Sequence, residues 1–126
     1  MEKITCVLIP RAASKANAVA THMQIRGYAR EEVIACGDSR EDLEVASVVG
    51  RFFLMRNAVD RNPELTADVG RWDNVTVTEA THGSGVYEAL QRNGSLLASR
   101  VGAQVKVHRV AVRDLKKKRA TNIPRA

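Results

Sequence analysis

The chain contains few cysteine, proline and aromatic residues, and it has no long hydrophobic run. Cys6 and Cys36 lie in apolar segments without a CxxC motif or a nearby histidine cluster, so a zinc site is not expected and both thiols are predicted to be buried and reduced. No apolar stretch approaches the roughly 18 residues of a membrane span, and the opening segment is too short for a secretory signal. These absences predict a cytoplasmic protein without a membrane partner.

Positive charge is concentrated in one part of the chain. Of 126 residues, 20 are Lys or Arg and 14 are Asp or Glu, and nine of the bases but one acid fall within residues 100–126. We therefore predict a domain over residues 1–99 and a basic, partly disordered C-terminal extension over residues 100–126. The extension has no interleaved aromatic residues to stack on bases, which disfavours nucleic-acid binding. A nucleic-acid-associated protein is the alternative that the charge suggests.

Short apolar segments alternate with segments of helical periodicity. Strands are predicted at residues 4–9, 33–36, 51–55 and 74–78, and valines at 105–112 indicate a further bent strand. Helices are predicted at about 14–27, 40–48, from 62 onward, and 86–97, with Gly83 and Gly85 marking a loop before the last helix. This alternation predicts an α/β fold with a mainly parallel sheet and helices on both faces.

Two aspartates follow the second predicted strand. Asp38 comes directly after Gly37, and Asp42 lies near the start of the next helix. Ligands of parallel sheets bind at the carboxyl ends of strands, and two carboxylates there suit Mg²⁺, which binds few carboxylates and keeps several waters or phosphate oxygens. Taken alone, the same two residues could be a helix N-cap and a first-turn acid.

Lys15 begins the first predicted helix at the same edge of the sheet. Ser39 offers a hydroxyl and a backbone amide beside the turn at Gly37. An ammonium group, a carboxylate pair and helix N-termini can meet around one anion, which is the chemistry of a phosphate site. The pattern therefore predicts binding of a phosphorylated small molecule, with the Lys15 ammonium group beside the anion and Ser39 as a substrate-binding residue.

Four ordered segments resemble the C-terminal part of the core domain of haloacid dehalogenase (HAD) superfamily phosphatases. The similarity is greatest to sugar-phosphate and phosphoglycolate phosphatases with a large inserted cap, and the segments are RAASKANAV (11–19), GDSREDLEVASVVG (37–50), FFLMRNA (52–58) and HGSGVYEAL (82–90). The resemblance implies a partial Rossmannoid fold and a Mg²⁺-dependent phosphatase-type hydrolase.

The resemblance also implies roles for individual residues. Lys15 matches the lysine that steadies the phosphoryl oxygens and the nucleophile, and Asp38 matches the aspartate that binds Mg²⁺. Asp42 matches a second acid that supports the metal or its waters. Asn57 matches an asparagine that ends the next strand beside the active site and is expected to contact substrate. A metal ion and a fixed cation would stabilise charge on a transferring phosphoryl group.

The chain departs from this family at the nucleophile. Family phosphatases begin with a strand ending in Asp-x-Asp, whose first aspartate attacks the phosphate, and this sequence has no Asp before Asp38. The second-motif strand and the cap are also missing. We therefore expect a natural half-domain, a truncated gene product or an engineered fragment, whose activity alone is in doubt.

The missing strand predicts an exposed sheet edge beside the strand that ends at Asp38. Exposed edges recruit partners, so we expect self-association or a partner chain that supplies the strand. The alternative to a hydrolase is a non-catalytic module that binds Mg²⁺ and a phosphorylated ligand or completes a partner enzyme.

Overall fold

A computed structural model of the protein describes residues 10–102, apart from the side chains at 96, 97, 100 and 101. The strands predicted at residues 4–9 and 105–112, Cys6 and nearly all of the basic extension lie outside the described residues. The described helices are α1 (Lys15–Arg26), α2 (Arg40–Leu43), α3 (Arg56–Arg61), α4 (Leu65–Val69) and α5 (His82–Val101). The described strands are β1 (Ile34–Gly37), β2 (Arg51–Leu54) and β3 (Val75–Val77), and short 3₁₀ helices cover Arg30–Glu32 and Glu44–Ser47.

The three strands form a parallel sheet in the order β1-β2-β3. Ala35 of β1 lies opposite Phe52 of β2, which in turn lies opposite Val75 of β3. Because each connection between parallel strands must return across the sheet, helical segments separate the strands in sequence. The predicted α/β class with a parallel sheet is confirmed.

Hydrophobic clusters lie on both faces of the sheet, and β2 contributes to each of them. Phe52 and Leu54 pack on one face with α1, α2 and α4, whereas Phe53 and Met55 pack on the other with Ala89 of α5. Successive strand side chains point to opposite faces, so the segment of a central strand that is buried on both sides is continuously apolar, as it is from Phe52 to Leu54. The predicted helices on both faces are therefore present.

Local capping signals set the ends of α1. The Ser14 side chain accepts a hydrogen bond from the backbone amide of Asn17 at 3.1 Å, as an N-cap residue does. Gly27 has φ 70°, and the amide of Tyr28 donates to the Met23 carbonyl at 3.0 Å. This left-handed cap is the termination that a glycine favours.

One described helix is absent from the sequence predictions, and another begins earlier than predicted. Helix α3 was not predicted, because six mainly polar residues carry too little periodicity to signal a helix. Helix α5 begins at His82, so Gly83 and Gly85 lie in its first turn and not in a loop. A Cβ on Gly85 would lie 2.8 Å from the Ala80 carbonyl oxygen and 2.9 Å from Thr78 Oγ1. Gly85 therefore allows the helix to approach the ends of the strands.

Cys36 is exposed among the described residues, so the prediction of a buried thiol is wrong for it in this part of the chain. It lies on β1, the outer strand of the described sheet, and no described residue covers its side chain sufficiently to bury it. Within residues 10–102, no helix has the length and apolar composition needed to cross a bilayer.

Candidate functional site

The five predicted site residues lie together at the carboxyl ends of β1 and β2. Asp38 and Ser39 follow β1, and Asp42 lies in the first turn of α2. Asn57 is in the first turn of α3 after β2, and Lys15 is the first residue of α1. Hydrogen bonds connect all five into one network, although residues 15 and 57 are far apart in the sequence.

Asp42 is the most highly bonded member of this network. Its Oδ1 accepts from Lys15 Nζ in an ion pair, and its Oδ2 accepts from Ser39 Oγ at 2.8 Å and the Asp38 amide at 3.1 Å. The Ser39 Oγ in turn accepts from the Asp42 amide at 3.1 Å and caps α2. A Cβ on Gly37 would lie only 2.7 Å from Asp42 Cγ, so glycine is needed there for this side chain to fold over the turn.

The pKa of Asp42 is lowered from its ordinary value. Burial alone would raise the pKa, but the hydrogen bonds from Lys15, Ser39 and the Asp38 amide outweigh it. The pKa of Lys15 is raised, chiefly by its hydrogen bond to Asp42 and then by the charge of that carboxylate. Both groups are therefore ionised at neutral pH, and the Lys15 side chain is 61% exposed.

Asp38 is the more open of the two carboxylates, with a side chain that is 47% exposed. Its Oδ2 accepts from Asn57 Nδ2 and from Arg61 Nη2, each at 2.9 Å. Its Oδ1 has no hydrogen-bond partner among residues 10–102. Asp38 lines a shallow groove of about 430 Å³ together with Ser39, Arg61 and Asn62. A ligand in this groove can therefore reach Asp38 directly.

Asn57 lies behind Asp38 and is only 5% exposed. Its Nδ2 donates to Asp38, and its Oδ1 accepts from the His82 amide at 2.7 Å. His82 has φ 51°, a left-handed conformation that costs energy in a residue other than glycine. Asn57 thus joins the end of β1 to the start of α5, and its contact with substrate stays a prediction.

Sequence reasoning missed Arg61, which belongs to this network. Its Nη2 contacts Asp38, and its Nε donates to the Asn57 carbonyl at 3.1 Å. Asn57 and Arg61 are four residues apart and therefore lie on one side of a helix. That spacing could have identified Arg61, but only once α3 was known to be helical.

The donor set fits a partial Mg²⁺ site. Among residues 10–102 no group of three acidic, histidine or cysteine side chains could hold a metal ion. Mg²⁺ needs only one or two carboxylates, because waters and phosphate oxygens complete its six ligands. Asp38 could bind the ion through Oδ1, whereas both oxygens of Asp42 are already bonded and would position its waters. The arrangement suits a metal ion that shares a phosphate ligand.

Comparison with known families gives one match. A family model described as haloacid dehalogenase-like hydrolase matches residues 2–90, which include all five predicted site residues and the three described strands. The searches of curated proteins and of solved structures found no match.

Proposed function

We propose that this chain, which belongs to the haloacid dehalogenase-like hydrolases, contributes the metal- and phosphate-binding part of a Mg²⁺-dependent phosphatase-type site. Members of the superfamily generally use Mg²⁺. One observation carries the proposal: Lys15, Asp38, Ser39 and Asp42 form a single hydrogen-bonded network beside an open groove. A phosphoryl group in that groove would lie beside Asp38 and Ser39, which hydrogen bonds connect through Asp42 to Lys15.

Each residue would have a distinct part in binding. When bound, Mg²⁺ would polarise the phosphoryl oxygens and offset their negative charge. Asp38 would hold the ion, and Asp42 would orient its waters while fixing the position of Lys15. The ammonium group of Lys15 is exposed and lies at the N-terminus of α1, where a phosphoryl oxygen is favoured. Ser39 would contribute its hydroxyl at the edge of the groove.

The attacking carboxylate is the part that these 126 residues do not contain. No Asp precedes Asp38, so the network lacks the Asp-x-Asp pair of family phosphatases. We propose that a further strand, from a partner chain, pairs with the outer edge of β1 and brings the nucleophile to the site. Among the described residues β1 pairs only with β2, which is compatible with such a strand.

The second candidate is a non-catalytic module that binds Mg²⁺ and a phosphorylated ligand. The same network supports it, because binding needs the fixed cation and the carboxylates but no nucleophile. Nucleic-acid association would depend on residues 100–126, and no described contact supports it.

Calorimetric titration of the full chain with Mg²⁺ and inorganic phosphate tests the proposal. We expect binding of phosphate that requires Mg²⁺ and is lost in Asp38→Asn. Asp60→Asn is the matched control, because it removes an exposed acid from the same helix as Asn57 without touching the network. Absence of Mg²⁺-dependent phosphate binding in the folded wild-type chain would overturn the proposal.

Hydrolysis of an aryl phosphate tests whether the chain turns over a substrate without a partner. The wild-type chain and Asp38→Asn, purified in parallel, would be compared with Mg²⁺ and with a chelator. We expect equal background rates for the chain alone, since it lacks the nucleophile. Mg²⁺-dependent turnover that disappears in Asp38→Asn would instead show that another group in this chain attacks the phosphate.

A further inference from the structure

We infer that Arg61 competes with the divalent cation for Asp38 and thereby lowers the affinity of the site for metal. This inference rests on the proposed function, because it assumes that Asp38 is the residue that binds the ion. In the absence of metal, Arg61 would hold the Asp38 carboxylate in position.

Arg61 forms the one ion pair that Asp38 makes within residues 10–102. Arg61 Nη2 lies 2.9 Å from Asp38 Oδ2, and the other donor to this oxygen is the neutral amide of Asn57. Arg61 Nε also donates to the Asn57 carbonyl, so two hydrogen bonds keep the guanidinium beside the carboxylate when no metal ion is bound. The guanidinium thus offsets the negative charge that would otherwise attract a metal ion.

A metal ion and this guanidinium cannot both be bound to Asp38 without a penalty. Both oxygens belong to one carboxylate, so an ion on Oδ1 would stand a few ångströms from the positive charge on Oδ2. Like charges at such a distance repel each other. Metal binding is therefore coupled to withdrawal of the Arg61 side chain.

Arg61 is able to withdraw. Its side chain is 64% exposed, and exposed ion pairs are weak because solvent and side-chain entropy oppose them. The Lys15 pair differs, since the Asp42 side chain is only 17% exposed and accepts two further hydrogen bonds. Of the two cations at the site, Arg61 is thus the one that exchanges with metal.

Metal titrations of four variants test this inference without any need for turnover. Mg²⁺ binding would be measured by calorimetry, and Mn²⁺ binding by the paramagnetic resonance signal of the free ion. Loss of an exposed ion pair corresponds to a change of about two- to fivefold in affinity, so Arg61→Gln should bind both ions more tightly by at least this factor. Arg61→Lys, which retains the charge but not the fork of donors, should lie between Arg61→Gln and wild type.

Two controls define the outcomes. Arg26→Gln removes the same charge from the far end of α1, about 16 Å along the helix from Lys15, and should leave affinity unchanged. Asp38→Asn should abolish metal binding. The gain in Arg61→Gln should also shrink as ionic strength rises, because salt screens the exposed guanidinium.

Unchanged or weaker metal binding in Arg61→Gln, with binding still lost in Asp38→Asn, would show that Arg61 does not compete with the metal ion. The proposal that Asp38 binds the ion would be retained. Equal absence of binding in wild type, Arg61→Gln and Asp38→Asn would overturn both the competition and the proposed function. Circular dichroism of each variant would confirm that it is folded, and Arg61→Lys provides a second test should Arg61→Gln unfold.

Discussion

Asp42 holds the Lys15 ammonium group in place. Its carboxylate accepts hydrogen bonds from that group, from the Ser39 hydroxyl and from the Asp38 backbone amide. The lowered pKa of Asp42 means that ionised Asp42 contributes to the stability of the folded domain. A carboxyl whose pKa is lower in the folded state stabilises the fold above its unfolded pKa, and this contribution is lost as pH falls through the folded value. The Lys15–Asp42 pair therefore stabilises the domain at neutral pH and not in strong acid.

Asp42→Asn should make the free energy of unfolding less dependent on pH in the acidic range. In wild type the free energy of unfolding should fall as pH drops below about 4, where Asp42 in the unfolded chain becomes protonated. The variant should be less stable than wild type at pH 7 and show a smaller decrease in this range. Urea unfolding at a series of pH values measures both. Glu41→Gln is the control, and an equal effect of this change would exclude Asp42 as the cause.

Gly37→Ala should destabilise the fold and displace Asp42. The added Cβ would meet the Asp42 side chain, with Cγ at 2.7 Å, and crowding of this kind costs about 1–3 kcal/mol. Chemical denaturation measures the cost. Gly83→Ala is the matched control, since nothing lies within 4 Å of its Cβ position and a helical alanine should leave stability equal or higher. Equal stability of Gly37→Ala and wild type would contradict the packing argument.

At the scale of the secondary-structure elements, the start of α5 supports the site, because its backbone is bonded to Asn57. Asn57 Oδ1 accepts from the His82 amide, and Thr78 Oγ1 donates to the Ala80 carbonyl at 2.7 Å. The Glu88 carboxylate accepts from the Ala80 amide at 2.8 Å and the Glu79 amide at 3.0 Å, and these bonds lower its pKa despite partial desolvation. One turn of α5 therefore holds the loop that leads into the helix.

Glu88→Ala should loosen this loop. The two backbone amides would lose their acceptor, which should destabilise the fold by about 1 kcal/mol. Hydrogen exchange at the Glu79 and Ala80 amides should become faster, and this measurement separates a local effect from global unfolding. Gln91→Ala changes an exposed residue on the same helix and should stay within about 0.5 kcal/mol of wild type. Unaltered exchange at Ala80 in Glu88→Ala would contradict the role of Glu88.

At the scale of the whole molecule, the outer edge of β1 is the feature that bears on assembly. The strand pairs only with β2 in the described sheet, and the exposed Cys36 lies on it. An unpaired edge presents free amide and carbonyl groups to another chain. The proposed nucleophile-bearing partner would occupy this position, and a second copy of the chain could occupy it when the partner is absent.

Cys36→Lys should weaken this association. Size-exclusion chromatography with light scattering should show wild-type dimers or larger species at micromolar concentration and a shift toward monomer in the variant, because charge on an edge strand opposes pairing. Ile25→Lys is the control, since Ile25 is 76% exposed and belongs to helix α1 and not to a strand. A stable wild-type monomer at these concentrations would argue against self-association.

Most of the described strands and helices could be predicted from the sequence, because local signals specify them. The predicted strands at 33–36, 51–55 and 74–78 overlap β1, β2 and β3, and Ser14 and Gly27 do mark the ends of the first helix. Helix α3 and the first turn of α5 could not be predicted. Tertiary contacts stabilise both, through the burial of Asn57 and Ala58 and through the close packing of Gly85.

The sequence by itself determined the parallel α/β arrangement, the position of Lys15 at a helix start, the positions of Asp38 and Asp42 after the strand that precedes α2, and the absence of an earlier aspartate. Only the tertiary structure decided which cation pairs with which acid: Lys15 with Asp42 and Arg61 with Asp38, across separations of 27 and 23 residues. No local sequence pattern indicates such pairs, because their members are far apart in the chain. They depend on strand register and on the direction in which each helix leaves the sheet, and both are fixed only when the two faces are packed.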